Sequence, residues 1–261
     1  MLWNTNELLF ALLLILAGAA TIEAGYRLGR RWRARLDEPG RNHINAIQVS
    51  LLGMLALLLG FTFAMSQSRF EARKALVLDE AGAITVAYSM VQLLPDHDAA
   101  KLGGMFEAYV DARLAFFEAG IDSRRIDSAL ETASTLQASL WTEVRRIMDD
   151  NAESERSALL AKSISAMAVF EESRREALQN HVPETILLLL LFVTLVSLGF
   201  IAFSNGLSGQ RHHFATAFFG LTVAAVLIVT MDLDRPRSGA IQVSQDSMQR
   251  VLEAVRADLQ R

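Results

Sequence analysis

Glu23, Glu184 and Asp232 are the acidic residues nearest the apolar runs of this chain, and each stands at the end of a run, within reach of an aqueous boundary. Ionisable groups inside a bilayer are the usual basis of proton relays and charged-substrate sites. No acid, base or histidine falls near the middle of any apolar run, which argues against a proton-coupled pump and against a deep charged site. A pore with an apolar constriction, gated by wetting, fits this pattern, and so does a membrane anchor that conducts nothing. His212-His213 have the chemistry of a pH sensor or of metal ligands, but adjacent histidines on a helix point in different directions and no third ligand is near; interfacial loop residues are the plainer reading, as for His43 and His181. Asp232 and Asp234 supply two carboxylates where a calcium site needs six or more oxygens, so capping of the final helix or pairing with Arg235 or Arg237 is expected instead. No nucleophile elbow, phosphate loop or H-E-x-x-H motif is present. Neither an enzyme nor a bound cofactor or metal is expected.

The elements that position these residues are helices in a membrane. Of 261 residues, 52% are hydrophobic, only 4 are Pro and none is Cys. The absence of Cys removes disulfides, thiol catalysis and Cys-ligated metal centres. A net charge of -4 with no basic domain argues against nucleic acid as a partner.

Four segments approach the roughly 20 residues needed to cross a hydrocarbon core: Leu8–Ala24, Ile44–Met65, Thr185–Ser204 and Phe214–Met231. The first, with no basic residue before it and arginines after it, reads as a retained signal anchor rather than a cleaved leader. Its following loop, Tyr26–Arg41, carries six arginines (27, 30, 31, 33, 35 and 41), which favours a bacterial inner-membrane protein with that loop in the cytoplasm and the N-terminus and extramembrane domain outside. The second segment passes without a break into a charged helix, so that Asn42–Leu94 predicts a single rod of roughly 80 Å. Between spans two and three the chain shows helical periodicity only: Asp96–Ala119 stopped by Gly120, Asp122/Ser123 to about Asp150, and Ser154 toward Pro183. Asn205-Gly206 reads as a helix stop, and Ser244–Gln260 as a closing amphipathic helix that docks on the stalk or on a neighbouring subunit. The expected fold is an all-α integral membrane protein in four parts: residues 1–66, the N-terminal transmembrane pair; 67–182, the helical stalk and extramembrane domain; 183–232, the C-terminal transmembrane pair; and 233–261, a turn and amphipathic helix.

Two stripes run along the rod. Ser50, Gly53, Leu57, Gly60/Phe61 and Ala64 share one face of its apolar half, as a close-packing surface or a pore lining would. In the charged half Phe70, Val77, Ile84 and Val91 recur every seven residues, which marks a seam with other helices, within the chain or between subunits.

At the end of the second span the residues resemble those of a known family. Leu59-Gly60-Phe61, followed by Ser68-Arg69-Phe70-Glu71-Ala72-Arg73-Lys74-Ala75-Leu76, resembles the second transmembrane helix and stalk of bacterial bestrophins. Over nearly its whole length the chain is similar to the uncharacterised bacterial bestrophin-like membrane proteins. That similarity rests on the two-plus-two layout of spans, on Asp79-Glu80-Ala81 with Ile84, on Leu93-Leu94-Pro95, and on Asp232-x-Asp234-Arg235-Pro236-x-x-Gly239-x-Ile241-x-Val243-Ser244. The resemblance implies a homopentameric anion channel, with chloride as the permeant ion, whose second helices surround the axis. It implies a neck of residues four apart on that helix: Phe61 and Leu57 match in character, whereas Gly53 stands where a large apolar residue is expected and implies a wider upper constriction. The acidic calcium-clasp run is missing, which speaks against calcium activation. The resemblance also places the helical domain in the cytoplasm, opposite to the arginine count. An oligomeric ion channel is the leading expectation; a non-conducting interaction or signalling protein using the stalk as a partner surface is its rival.

Overall fold

The computed structural model describes residues 7–120, 122–150, 155–235 and 239–260, and among them every regular element is an α-helix. The helices are α1 (Glu7–Trp32), α2 (Glu38–Val91), α3 (Asp96–Glu118), α4 (Ser123–Asp150), α5 (Glu155–Gln179), α6 (Glu184–Ser208), α7 (His213–Asp234) and α8 (Asp246–Leu259). Four of them, α1, α2, α6 and α7, are long and apolar enough to cross a membrane. The chain is an all-helical membrane protein, with four such helices among the described residues and a helical domain between the second and third.

The long rod is present as the 54-residue α2. It starts at Glu38, four residues before the expected Asn42, because Asp37 caps it: its Oδ1 accepts the Gly40 N–H at 3.0 Å, and Pro39 in the first turn has no N–H to satisfy. α1 likewise continues past its apolar run to Trp32, so most of the expected arginine loop is helix and only residues 33–37 connect the two.

The helix stop expected at Asn205-Gly206 lies further on. α6 runs to Ser208 and closes at Gly209, whose φ of 76° is left-handed. Gly206 serves a different purpose: a Cβ there would meet the Tyr26 carbonyl oxygen at 2.4 Å. α1 and α6 are backbone-to-backbone along this line, Gly25 against Gly199 and Gly29 against Phe203, which is how small residues bring membrane helices together.

Contacts divide the chain into two compact units. The membrane unit, residues 1–68 and 181–235, is centred on Leu14, Leu55, Leu190, Val193, Val223 and Leu227 from all four spanning helices. The helical unit, residues 69–180 and 236–261, has a larger core in which Leu102, Phe106, Leu140, Leu160 and Ile164 are fully buried. Met248, Val251, Leu252 and Val255 close that core from α8. The closing helix therefore docks within its own chain, with Arg256 on Glu107 and Asp111 at 2.7 Å each.

Candidate functional site

Among the described residues, the stripe on the apolar half of α2 is left exposed. Gly53 and Gly60 have nothing within 4 Å of where a Cβ would stand, and Leu57 and Phe61 are 58% and 63% exposed. At about 100° per residue, Gly53, Leu57 and Phe61 fall on the side of α2 opposite Leu55, Thr62 and Ser66, and those three are buried. One side of α2 thus holds the membrane unit together while the other is left as an apolar face with small residues above and a phenylalanine below.

The charged half of α2 is built differently. Val77, Ile84 and Val91 are buried in the core of the helical unit, and Phe70 is half-buried. Val77, Ile84 and Val91 therefore pack within the chain, one of the two alternatives that the seven-residue spacing leaves open. Among the described residues, the large apolar side chains that the outer half of α2 leaves exposed are Leu78 and Val86.

Between these apolar positions sits a set of buried charges. Glu80 is fully enclosed and lies between two guanidinium groups: Arg113 Nε donates to its Oε1 at 2.6 Å, and Arg174 Nη1 to its Oε2. Arg113 also reaches Glu171 Oε1 at 3.4 Å, and the Tyr109 hydroxyl donates to Glu171 Oε2 at 3.2 Å. Arg174 donates to Gln245 Oε1 at 3.0 Å and lies over the Phe117 ring, 4.2 Å from its centroid. Burial opposes the charge on Arg113, but the Glu80 carboxylate outweighs it and raises its pKa further. For Arg174 burial prevails, helped by repulsion from Arg113, and its pKa is lowered. Burial pushes the Tyr109 phenol far above its ordinary range, so it remains a donor. The network ties α2, α3, α5 and the segment before α8 into one geometry. A carboxylate with two guanidinium groups is costly to break, since either half left alone is a buried, unpaired charge.

Of the family-like polar residues, Arg69 donates to Asn180 Oδ1 at 2.9 Å, Glu71 lies 3.9 Å from Lys74, and Arg73 is buried, lining a small cavity with Arg174 and Phe117. In the membrane unit the Asp234 carboxylate accepts the Val182 N–H at 2.8 Å and faces His181 Nδ1 at 3.6 Å. Asp234 thus holds the entry to α6 rather than capping the final helix, since the backbone N–H just before Pro183 has no carbonyl of its own to bond. Asp232 is half-buried and Arg235 buried; Pro236 lies outside the described residues. Among the described residues no three His, Asp or Glu side chains gather as a metal site.

Arg113, Glu171 and Tyr109 were not legible as site residues from the sequence, although a signal exists. Leu160, Ile164 and Met167 continue at the same spacing to Glu171 and Arg174, and Leu102, Phe106 and Tyr109 continue to Arg113. Charges that keep the register of a core stripe are charges that will be buried.

The Bestrophin-like domain model matches residues 8–248, and the chain belongs to that family. Among solved structures it is similar to a bacterial bestrophin homologue from Klebsiella pneumoniae, with a TM-score of 0.68 at 17% identity, covering 97% of this chain and 98% of that one. A single-residue variant of that homologue gives a TM-score of 0.69 at 18% identity, covering 97% and 99%. No curated protein matches.

Proposed function

We propose that the chain forms a homo-oligomeric, bestrophin-like ion channel of the bacterial inner membrane, with the Gly53, Leu57 and Phe61 face of α2 lining its axis. The observation that carries this reading is the free apolar face itself, directed away from every other helix of the membrane unit. Copies arranged around an axis would turn that face inward, with Leu57 and Phe61 as an apolar neck and Gly53 leaving the upper part wide. The lack of charge at mid-membrane fits a barrier controlled by wetting rather than by an ion-binding side chain. Family membership supports five copies and a preference for anions such as chloride. Exposed Leu78 and Val86 in the helical unit offer apolar area for contact between copies.

The test is conduction by the purified full chain in planar bilayers. Currents are expected, and Leu57→Ala and Phe61→Ala should each raise the conductance severalfold by widening the neck. Silence at all voltages, or variants indistinguishable from wild type, would remove the proposal.

A further inference from the structure

Two cavities in the membrane unit share residues. An apolar slot of about 230 Å³ runs between α1, α6 and α7, lined by Leu14, Gly18, Leu198, Gly220, Ala224 and Leu227 among others. A second cavity of about 280 Å³ is lined by Glu23, Tyr26, Asn205, Arg211, His212 and Thr216, and Ala19, Ile22 and Ala217 line both. The three helices change character at the same level. α1 passes from Leu14 through Ile22 to Glu23 and Tyr26, α6 from Leu198 to Asn205, and α7 from Leu227 back to Thr216 and the preceding Arg211. Leu14 to Ile22 alone is about 12 Å of helix, which makes the slot elongated rather than round.

At the polar end Arg211 lies over the Tyr26 ring, 4.2 Å from its centroid, with its Nη1 3.7 Å from Glu23 Oε2. Glu23 Oε1 already accepts Arg27 Nε at 2.7 Å. Two guanidinium groups thus share one carboxylate, leaving one positive charge in excess, and Arg211 is 42% exposed. An elongated apolar slot ending in a polar mouth with surplus positive charge has the form of one molecule class. We propose that this composite cavity is a binding site for an anionic phospholipid, an acyl chain lying in the slot and the phosphate at Arg211. An ordinary boundary lipid would need the slot but not the charge.

The test is native mass spectrometry of the full chain in detergent with added phosphatidylglycerol or phosphatidylcholine. Wild type should hold phosphatidylglycerol over phosphatidylcholine by about fivefold, the preference one arginine at a membrane surface provides. Arg211→Ala should abolish the preference while lipid still binds, and Arg211→Lys should keep most of it. Gly220→Leu fills the slot and should lower occupancy by both lipids at least severalfold. Gly220→Ala, whose Cβ would stand at an ordinary 3.5 Å from Leu198, should match wild type. Inorganic phosphate should leave phosphatidylglycerol in place. Displacement by inorganic phosphate, a preference that survives Arg211→Ala, or a folded Gly220→Leu variant that binds as wild type does would each overturn the proposal; should Gly220→Leu not fold, Arg211→Ala decides.

Discussion

Replacing Glu80 with Ala is expected to destabilise the helical unit by about 3–5 kcal/mol, the usual cost of removing one partner from a buried ion pair. The magnitude follows from what is left behind. Arg113 and Arg174 are 1% and 2% exposed, and without Glu80 they would face each other across a buried space with Glu171 as the remaining carboxylate. Glu80→Gln keeps the shape and one acceptor but loses the charge, so it should fall between wild type and Glu80→Ala. Denaturant or thermal unfolding of the detergent-solubilised protein would measure both. A Glu80→Ala variant within about 1 kcal/mol of wild type would mean the cluster is hydrated and behaves as an exposed pair does. Because the network joins α2 to α3 and α5, its loss should also loosen the outer half of α2, which the channel proposal needs to be rigid.

The second large effect is expected at Gly29. An Ala Cβ there would stand 2.1 Å from the Phe203 carbonyl oxygen and 3.1 Å from Gly206 Cα, so the obstacle is backbone and cannot rotate aside. α1 and α6 must separate along the whole Gly25–Gly29 line. Gly29→Ala should cost about 3 kcal/mol, the upper end of overpacking effects, and reduce the yield of folded protein. The same change at Gly53 or Gly60 meets open space and should leave monomer stability unaltered. Size-exclusion profiles and melting temperatures of the three variants would separate a glycine that packs helices from glycines that face outward. Equal losses at all three would contradict the assignment of the Gly53 face as unpartnered.

These contrasts also explain what the sequence disclosed. The spans were legible because length and hydropathy alone decide them, and α2 was legible as one rod because no Pro or Gly-rich break interrupts it after Pro39. Helix starts at Asp96 and Ser123 followed from Pro95 and from Asp122, whose Oδ1 accepts the Arg124 and Arg125 N–H groups. The role of Gly206 was not legible: a glycine near the end of an apolar helix reads as a stop, and only the position of α1 shows that it is a contact. The heptad of Val77, Ile84 and Val91 was visible, but a seam within a chain and a seam between chains have the same spacing. The buried charges were missed for a related reason. Alternating signs along Arg69 to Glu80 suggest solvated pairs, and the partners that bury Glu80 are 33 and 94 residues away.

Lining of the axis by Leu57 and Phe61 is directly measurable, because the chain has no Cys. Leu57→Cys, Phe61→Cys and Leu55→Cys channels would be recorded before and after a charged, membrane-impermeant thiol reagent. Current through the Leu57→Cys and Phe61→Cys channels is expected to change severalfold on modification, while Leu55→Cys, on the packed side of α2, does not respond. A response at Leu55→Cys with silence at the other two would place the opposite face of α2 on the axis and overturn the lining by Leu57 and Phe61.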